Sequence, residues 1–415
     1  MTVKNSLATN RIIMLILLCY PVLLLTVQGG MNALFFLLLI LSVFCLYRAP
    51  KSLHKDQWDA YTLAFALAMA SPILAVFLSQ SYHGEFTARS YDGPSRFLLA
   101  IPIYLALRQI KISTLTMLQY GLPLGAISAL LVVFIVADHQ PFFPRAGNTF
   151  VNPIHFGDLA LIMGFLSLFS INWAGRDPLY IVILKSLGLL AGLFVSVQSE
   201  SRGGWIAIPV VLLTWLIIQN KERGLLRLLM TMVPPLLFGI TSYFLINIIH
   251  QRVDEVYSDI VAAWHGNLDT SIGIRLQLWE TALYLFRENP IFGVGPNGYA
   301  PLMSTLTQSG LITEMAAYNG RGEVHNFIFA SMARLGIFGL LSALAIFFVP
   351  FVIFIKATKS DLATQRKAAM MGICLVLGFF IFGLSVETFN LKMVAAFYSL
   401  TLAVLLAVAT NKTIT

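Results

Sequence analysis

Long apolar runs broken by short polar connectors organise the chain from one end to the other. A helix needs ~20 mostly apolar residues to cross a bilayer. Twelve segments qualify as candidate spans: 11–27, 32–47, 59–79, 95–107, 114–137, 157–173, 179–198, 204–219, 226–249, 325–355, 367–386 and 393–410. Within them apolar residues are continuous and do not alternate with polar ones, which excludes the strands of a membrane barrel. The pattern predicts an all-α polytopic membrane protein with about 12 transmembrane helices. It divides the chain into 1–249 (helices 1–9), a large extramembrane loop at 250–324, and 325–415 (helices 10–12). The first apolar run follows Lys4 and Arg11, has no small-x-small cleavage site after it and meets a second run at once, so it is expected to be an uncleaved span.

Composition agrees. Of 415 residues, 58% are apolar and 11% charged, against roughly a quarter charged in soluble domains. The mean hydropathy is +0.81. Cys19, Cys45 and Cys374 all lie inside apolar runs and read as packing residues. The net charge of +8 would point to nucleic acid in a soluble protein, but here it is sorted by membrane side and implies no nucleic-acid partner. Placing both termini in the cytoplasm puts Arg48, Lys51, Lys55, Arg108, Lys111, Arg176, Lys221, Arg223, Arg227, Lys356, Lys359, Arg366 and Lys367 in short inner connectors, as the positive-inside rule requires. The remaining basic residues are nearly all arginine: Arg89, Arg96, Arg145, Arg202, Arg252, Arg275, Arg287, Arg321 and Arg334, with only Lys185 and Lys392 beside them. Nearly all fall in outer loops or at outer helix ends. Guanidinium groups bind phosphate oxygens in a two-pronged fork, so an arginine-biased outer surface points to an anionic partner, although headgroup snorkelling accounts for most of the nine arginines.

The outer loop is not low complexity. Val253, Val256, Tyr257, Ile260 and Trp264 have helical spacing, as do Ile272, Leu276, Trp279, Leu283 and Phe286; both stretches read as amphipathic helices at the membrane surface. After Asn289-Pro290 comes the turn-rich Phe292-Gly293-Val294-Gly295-Pro296-Asn297-Gly298-Tyr299, expected to bring backbone close to a ligand. A second polar turn at 318–323 leads to His325 at the mouth of the tenth span.

Three residues carry candidate chemistry. Arg202 lies in Ser199-Glu200-Ser201-Arg202-Gly203-Gly204, where serines and backbone N–H groups are expected to favour an anion. Arg275 shares a helix face with Trp279 one turn on. His325 has an imidazole able to take a proton near neutral pH, with Asn326 beside it to orient it or a substrate. Each also has a plainer reading: snorkelling, pairing with Glu200 or Glu280, or capping. His139, His155, His250 and His265 are weaker candidates, and Arg334 is structural or cavity-lining. Glu323 and Glu387 are scattered carboxylates, and no metal-ligand spacing, P-loop or dinucleotide fingerprint is present, so no metal or cofactor is expected.

The run Arg275, Leu278-Trp279, Ala282, Pro290-Ile291-Phe292-Gly293-Val294-Gly295 and then His325-Asn326, with the upstream Ser-Arg-Gly-Gly at 201–204, resembles the signature of the O-antigen ligase and polymerase superfamily. The likeness extends to the twelve-span pattern with one large loop between spans nine and ten. Within the superfamily it is most similar to the lipopolysaccharide O-antigen ligases of enteric bacteria. That resemblance implies a GT-C type, inverting, metal-independent glycosyltransferase of the bacterial inner membrane, with the 250–324 loop and active site on the periplasmic side. Its implied donor is undecaprenyl diphosphate-linked O-antigen and its implied acceptor is lipid A–core. It maps the essential arginines onto Arg202 and Arg275 and the essential histidine onto His325, with flanking Glu200, Trp279 and Asn326 as substrate-binding residues; Arg321 is a further candidate contact for core and lipid A phosphates. Arg89, Arg145 and Arg252 are weaker phosphate contacts. A polymerase using the same donor, or a lipid or polysaccharide transporter, are the competing readings; oligomeric state is not encoded.

Overall fold

Apolar runs of this length satisfy their backbone groups internally by forming helices, the one solution open to a single chain segment in lipid. The computed structural model describes residues 7–49, 58–135, 145–220, 224–320 and 322–411, and among them it is helical, with no strand. The helices are α1 (Leu7–Thr26), α2 (Gly30–Arg48), α3 (Ala60–His83), α4 (Asp92–Leu107), α5 (Leu118–Ile135), α6 (Pro153–Phe169), α7 (Leu179–Gln198), α8 (Ala207–Asn220) and α9 (Leu225–Leu245). The loop region holds α10 (Asn247–Trp264), α11 (Ser271–Glu288), α12 (Tyr299–Gln308) and α13 (Glu314–Gly320). Three more follow: α14 (Phe327–Ala357), α15 (Ala363–Gly383) and α16 (Lys392–Ala409).

All twelve expected spans fall on helices, but fewer are long enough to cross a bilayer alone. Among the described residues nine helical segments have the length and apolarity, or up to ten if the bent pair α9 and α10 counts as one. The shortfall lies at α4, with 16 residues, and α6, with 17. The ninth span also ends earlier than its apolar pattern suggests. At Ile246 the backbone becomes extended and α10 departs at 92° from the lower part of the preceding helix. The two amphipathic helices of the loop appear as α10 and α11, and the turn-rich remainder adds α12 and α13.

The centre of the bundle is α16, with α15 against it; 89% and 78% of their apolar windows are buried. Alanine, serine and threonine in α16 let neighbours approach closely, as small residues do in membrane helices. Hydroxyl pairs tie it in: Tyr20 to Thr401 at 3.0 Å and Tyr398 to the Ile346 carbonyl at 2.9 Å. A second, smaller core joins the loop to α14 through Ala282, Leu285, Tyr299, Met303, Val324 and Ala330. At the peripheral edge, α9 exposes most of its length, including Leu226, Leu236, Phe238 and Phe244. Cys45 and Cys374 are buried, and none of the three cysteines is in a disulfide.

Two buried ion pairs sit apart from the loop region. Arg108 meets Asp59 at 2.9 Å, and Lys185 meets Asp177 at 2.7 Å. Lys185 also donates to Gln119 and to the Ser170 carbonyl, so all three ammonium protons are used. This corrects its grouping with the outer basic residues. Lys185 lies in the first half of α7, fourteen residues and roughly 20 Å before Ser199.

Candidate functional site

The loop-side ends of α7, α10, α11 and α14 supply one cluster of charges. After α7 the chain turns sharply at Glu200, whose φ of 56° is left-handed, a conformation unfavourable for a side chain with a Cβ. The turn is held from below. Ser201 Oγ donates to buried Asp158 Oδ1 at 2.9 Å. A methyl group on Gly204 would strike the same carboxylate, and one on Gly203 would strike Ser385. The Gly-Gly pair therefore serves close packing against α6 and the chain after α15. The serine hydroxyls are not free for an anion as expected: Ser201 serves Asp158, and Ser199 Oγ donates to the Ser196 carbonyl at 2.8 Å.

Arg202 emerges from this turn. Around it stand Arg145, which donates to the Ser199 carbonyl at 3.0 Å, and Arg252 on α10. Glu200 is paired with Arg252 and lies 3.8 Å from Arg145. Glu255 lies 2.8 Å from Arg252 Nη1 and 3.3 Å from Arg202 Nη1. Glu200 thus binds the arginines themselves. Arg275 on α11 keeps one donor on Ser271 Oγ at 3.0 Å. Burial first, then the charge of Arg202, and more weakly that of Arg145, hold its pKa below the usual guanidinium range, with Asp259 opposing. Arg145 is lowered in the same way, by burial and then by Arg252 and Arg202. Concentrating like charges in a half-buried site is costly, and a bound anion relieves it.

His325 completes the group. Its φ of 57° is also left-handed, and the next residue, Asn326, is extended and caps α14. Asn326 Oδ1 accepts the Ile328 and Phe329 N–H groups at 3.0 and 3.1 Å, and its amide donates to the Leu384 carbonyl at 3.4 Å. Asn326 is therefore a helix cap that aims its neighbour. Burial, then the Arg275 charge, lower the His325 pKa, against a smaller opposite effect of Glu387. Both of the larger effects favour the neutral imidazole. Its Nδ1 is 3.5 Å from Glu323, whose carboxyl is pushed up to about 7 by burial and by Glu387.

Several buried donors here have no hydrogen-bond partner among the described residues: Arg202 Nη1, Arg275 Nε, Trp279 Nε1 and His325 Nδ1. Native proteins rarely leave such groups orphaned. Trp279 stands edge-on to Phe329 with ring centres 5.8 Å apart, so its indole N–H is fixed. The remaining candidates separate clearly. His155 uses Nδ1 on Asn152 at 2.9 Å, His250 pairs with Asp254, and His265 bonds the Val261 carbonyl. Arg321 and His139 lie outside the described residues. No group of three or more His, Cys, Asp or Glu among the described residues has metal-binding proximity.

The sequence undervalued the support beneath His325. Glu387, whose side chain is 1% exposed, accepts from Arg334 Nη1 at 2.5 Å and Nη2 at 3.1 Å, from the Val324 N–H at 2.5 Å and from Asn390 at 2.5 Å. Arg334 also donates to the Gly322 carbonyl at 3.2 Å. Glu387 and Arg334 together grip the segment 322–324 that delivers His325. The detectable signal was a lone carboxylate between two apolar spans, which in a membrane is retained only with a partner.

The turn at 292–295 does not face the site as expected. Gly336 interrupts α14 with φ 64° and ψ −147°, and the turn seats in that break. The Ile337 N–H donates to the Pro290 carbonyl at 2.8 Å and the Val294 N–H to the Ala333 carbonyl at 3.0 Å. Ser79 and His83 of α3 bond the Phe292 and Gly293 carbonyls at 2.8 and 3.0 Å. Gly293 and Gly336 serve backbone-to-backbone docking: a methyl on Gly293 would strike the Arg334 backbone and one on Gly336 the Ile291 carbonyl, while Gly295 faces the His83 ring.

Comparison with known proteins adds a family. Residues 186–344 match the family described as O-antigen ligase, a stretch that contains Arg202, Arg275 and His325. An O-antigen ligase of Escherichia coli K12 is 23% identical over 226 residues, 54% of this chain and 51% of that relative. Both findings support the O-antigen ligase superfamily. A Haemophilus influenzae protein without an assigned function is 28% identical over 291 residues, 69% of this chain and 71% of its own length. The chain spans about half the length of the ligase relative. With the apolar helices, the match indicates a multi-pass membrane protein similar to O-antigen ligases.

Proposed function

We propose that this protein is a glycosyltransferase of the bacterial inner membrane that moves O-antigen from undecaprenyl diphosphate to a sugar hydroxyl of lipid A–core on the periplasmic side. The observation that carries the reading is one charge cluster in which Arg202 acts on Arg275 and Arg275 on His325, with an unpartnered nitrogen on each arginine and the histidine pKa lowered. A diphosphate leaving group brings negative charge and needs no proton donor. Two guanidinium groups aimed at it stabilise the charge that grows as the bond from the anomeric carbon to the phosphate oxygen breaks. The acceptor oxygen forms the new bond from the opposite face of the sugar, and His325 takes its proton. Glu323 then steadies the imidazolium. One displacement inverts the linkage, and undecaprenyl diphosphate departs. Trp279, with its fixed indole N–H, is the natural partner for a sugar hydroxyl or phosphate oxygen.

The test uses purified full-length protein with lipid-linked O-antigen and lipid A–core, in EDTA and without ATP, the product read as a gel shift. Transfer supports a metal- and ATP-independent ligase. Lengthening of the lipid-linked glycan without transfer to lipid A–core assigns a polymerase instead. Failure of both in folded protein returns the metal-dependent and transporter alternatives.

A further inference from the structure

Arg202, the guanidinium placed on the donor diphosphate by the reading above, already has an anion beside it. Glu255 Oε2 lies 3.3 Å from Arg202 Nη1, yet that nitrogen makes no hydrogen bond among the described residues. The carboxylate is close and poorly aligned. It also holds Arg252 Nη1 at 2.8 Å, and its side chain is 46% exposed. It rides on α10, which has no buried residue and turns away from the chain before it by 92° across the extended Ile246. The helix before that bend, α9, carries Pro234 and Pro235 in its interior; prolines there remove backbone hydrogen bonds and favour bending. An anion that is weakly seated, half in solvent and mounted beyond a bend is easily displaced.

We infer that Glu255, held by Arg252, is a positioning residue that occupies the part of the diphosphate place on Arg202 and is exchanged for a donor phosphate when substrate binds. This rests on the proposed diphosphate donor. While the site is empty, the carboxylate gathers two arginines that otherwise repel each other. When a diphosphate arrives, it brings about two charges against one and replaces Glu255, and α10 shifts outward about Ile246. Competition by a half-exposed ion pair is modest in strength, so its removal tightens anion binding by about fivefold.

The experiment titrates inorganic pyrophosphate into the full-length protein in lipid nanodiscs by calorimetry, then measures KM and kcat for the lipid-linked donor. Glu255→Gln is expected to bind pyrophosphate about fivefold more tightly and to lower donor KM by a similar factor, with a smaller change in kcat. Glu255→Asp, which keeps the charge and shortens its reach, should fall between. Asp254→Asn is the charge control: Asp254 sits on the same helix but bonds Tyr243 at 3.0 Å and His250 at 3.1 Å, and should leave affinity unchanged. Equal tightening by Asp254→Asn would reduce the effect to net charge and overturn the inference. So would weaker or unchanged binding in Glu255→Gln. If the wild type does not bind pyrophosphate, or Arg202→Ala binds it equally well, the diphosphate reading itself fails, an outcome distinct from the other two.

Discussion

Replacing Glu387 by glutamine tests whether the histidine is held by a buried ion pair. The carboxylate is 1% exposed and takes four hydrogen bonds, two of them from Arg334, whose side chain is 17% exposed. Glu387→Gln keeps the shape but strands the Arg334 charge. Breaking one side of a buried pair costs about 3–5 kcal/mol, because the remaining ion has lost its water and its partner. The loss falls on the segment 322–324 that presents His325. A penalty of about 3 kcal/mol on the competent arrangement lowers turnover by roughly a hundredfold. Purified variant and wild type would be compared by thermal inactivation midpoint and by initial transfer rate. Glu387→Leu with Arg334→Met removes both charges. Stability should then recover most of the loss, whereas transfer stays low because the Val324 N–H no longer has its acceptor. A Glu387→Gln protein with wild-type midpoint and wild-type rate would refute the argument.

Three further outcomes follow from the same geometry. His325→Ala abolishes transfer with unchanged expression, and in the wild type the acid limb of the pH–rate profile lies below the ordinary histidine value of 6.5, because burial and Arg275 disfavour the imidazolium; a limb above 6.5 would count against the base role. Glu323, raised in the folded protein from 4.5 to about 7, contributes stability that is complete below 4.5 and is lost as pH rises through about 7; Glu323→Gln should flatten that part of a melting-midpoint profile. Gly336→Ala places a Cβ at φ 64° and against the Ile291 carbonyl, so it should cost at least about 1–3 kcal/mol and lower the thermal midpoint even though the site residues are untouched.

Much of the chemistry is readable along the chain because it depends on residue type near helix ends. Arg202, Arg275 and His325 stand out as an arginine beside paired glycines, an arginine one turn before a tryptophan, and an imidazole at the mouth of an apolar run. Glu387 was visible but mute: a carboxylate in an apolar region needs a partner, and the partner, Arg334, lies 53 residues away in sequence. The opposite error occurred at Gly293 and Gly295. Glycines license close approach without stating what approaches, and here the broken backbone of α14 meets Gly293 and the His83 ring meets Gly295.

The sequence alone pointed to the helical membrane class and the place of nearly every apolar helix, and it singled out the three residues of the candidate chemistry. Bilayer thickness and backbone satisfaction leave an apolar run one local solution, and the reactive groups are fixed by composition. Tertiary structure decided the rest. It bent the ninth span at Ile246, seated the 292–295 turn on Gly336, set Glu387 against Arg334 beneath His325 and laid Glu255 on Arg202. Those outcomes depend on which distant segments meet and on the fields they exert on one another, and neither is a property of any local stretch of chain.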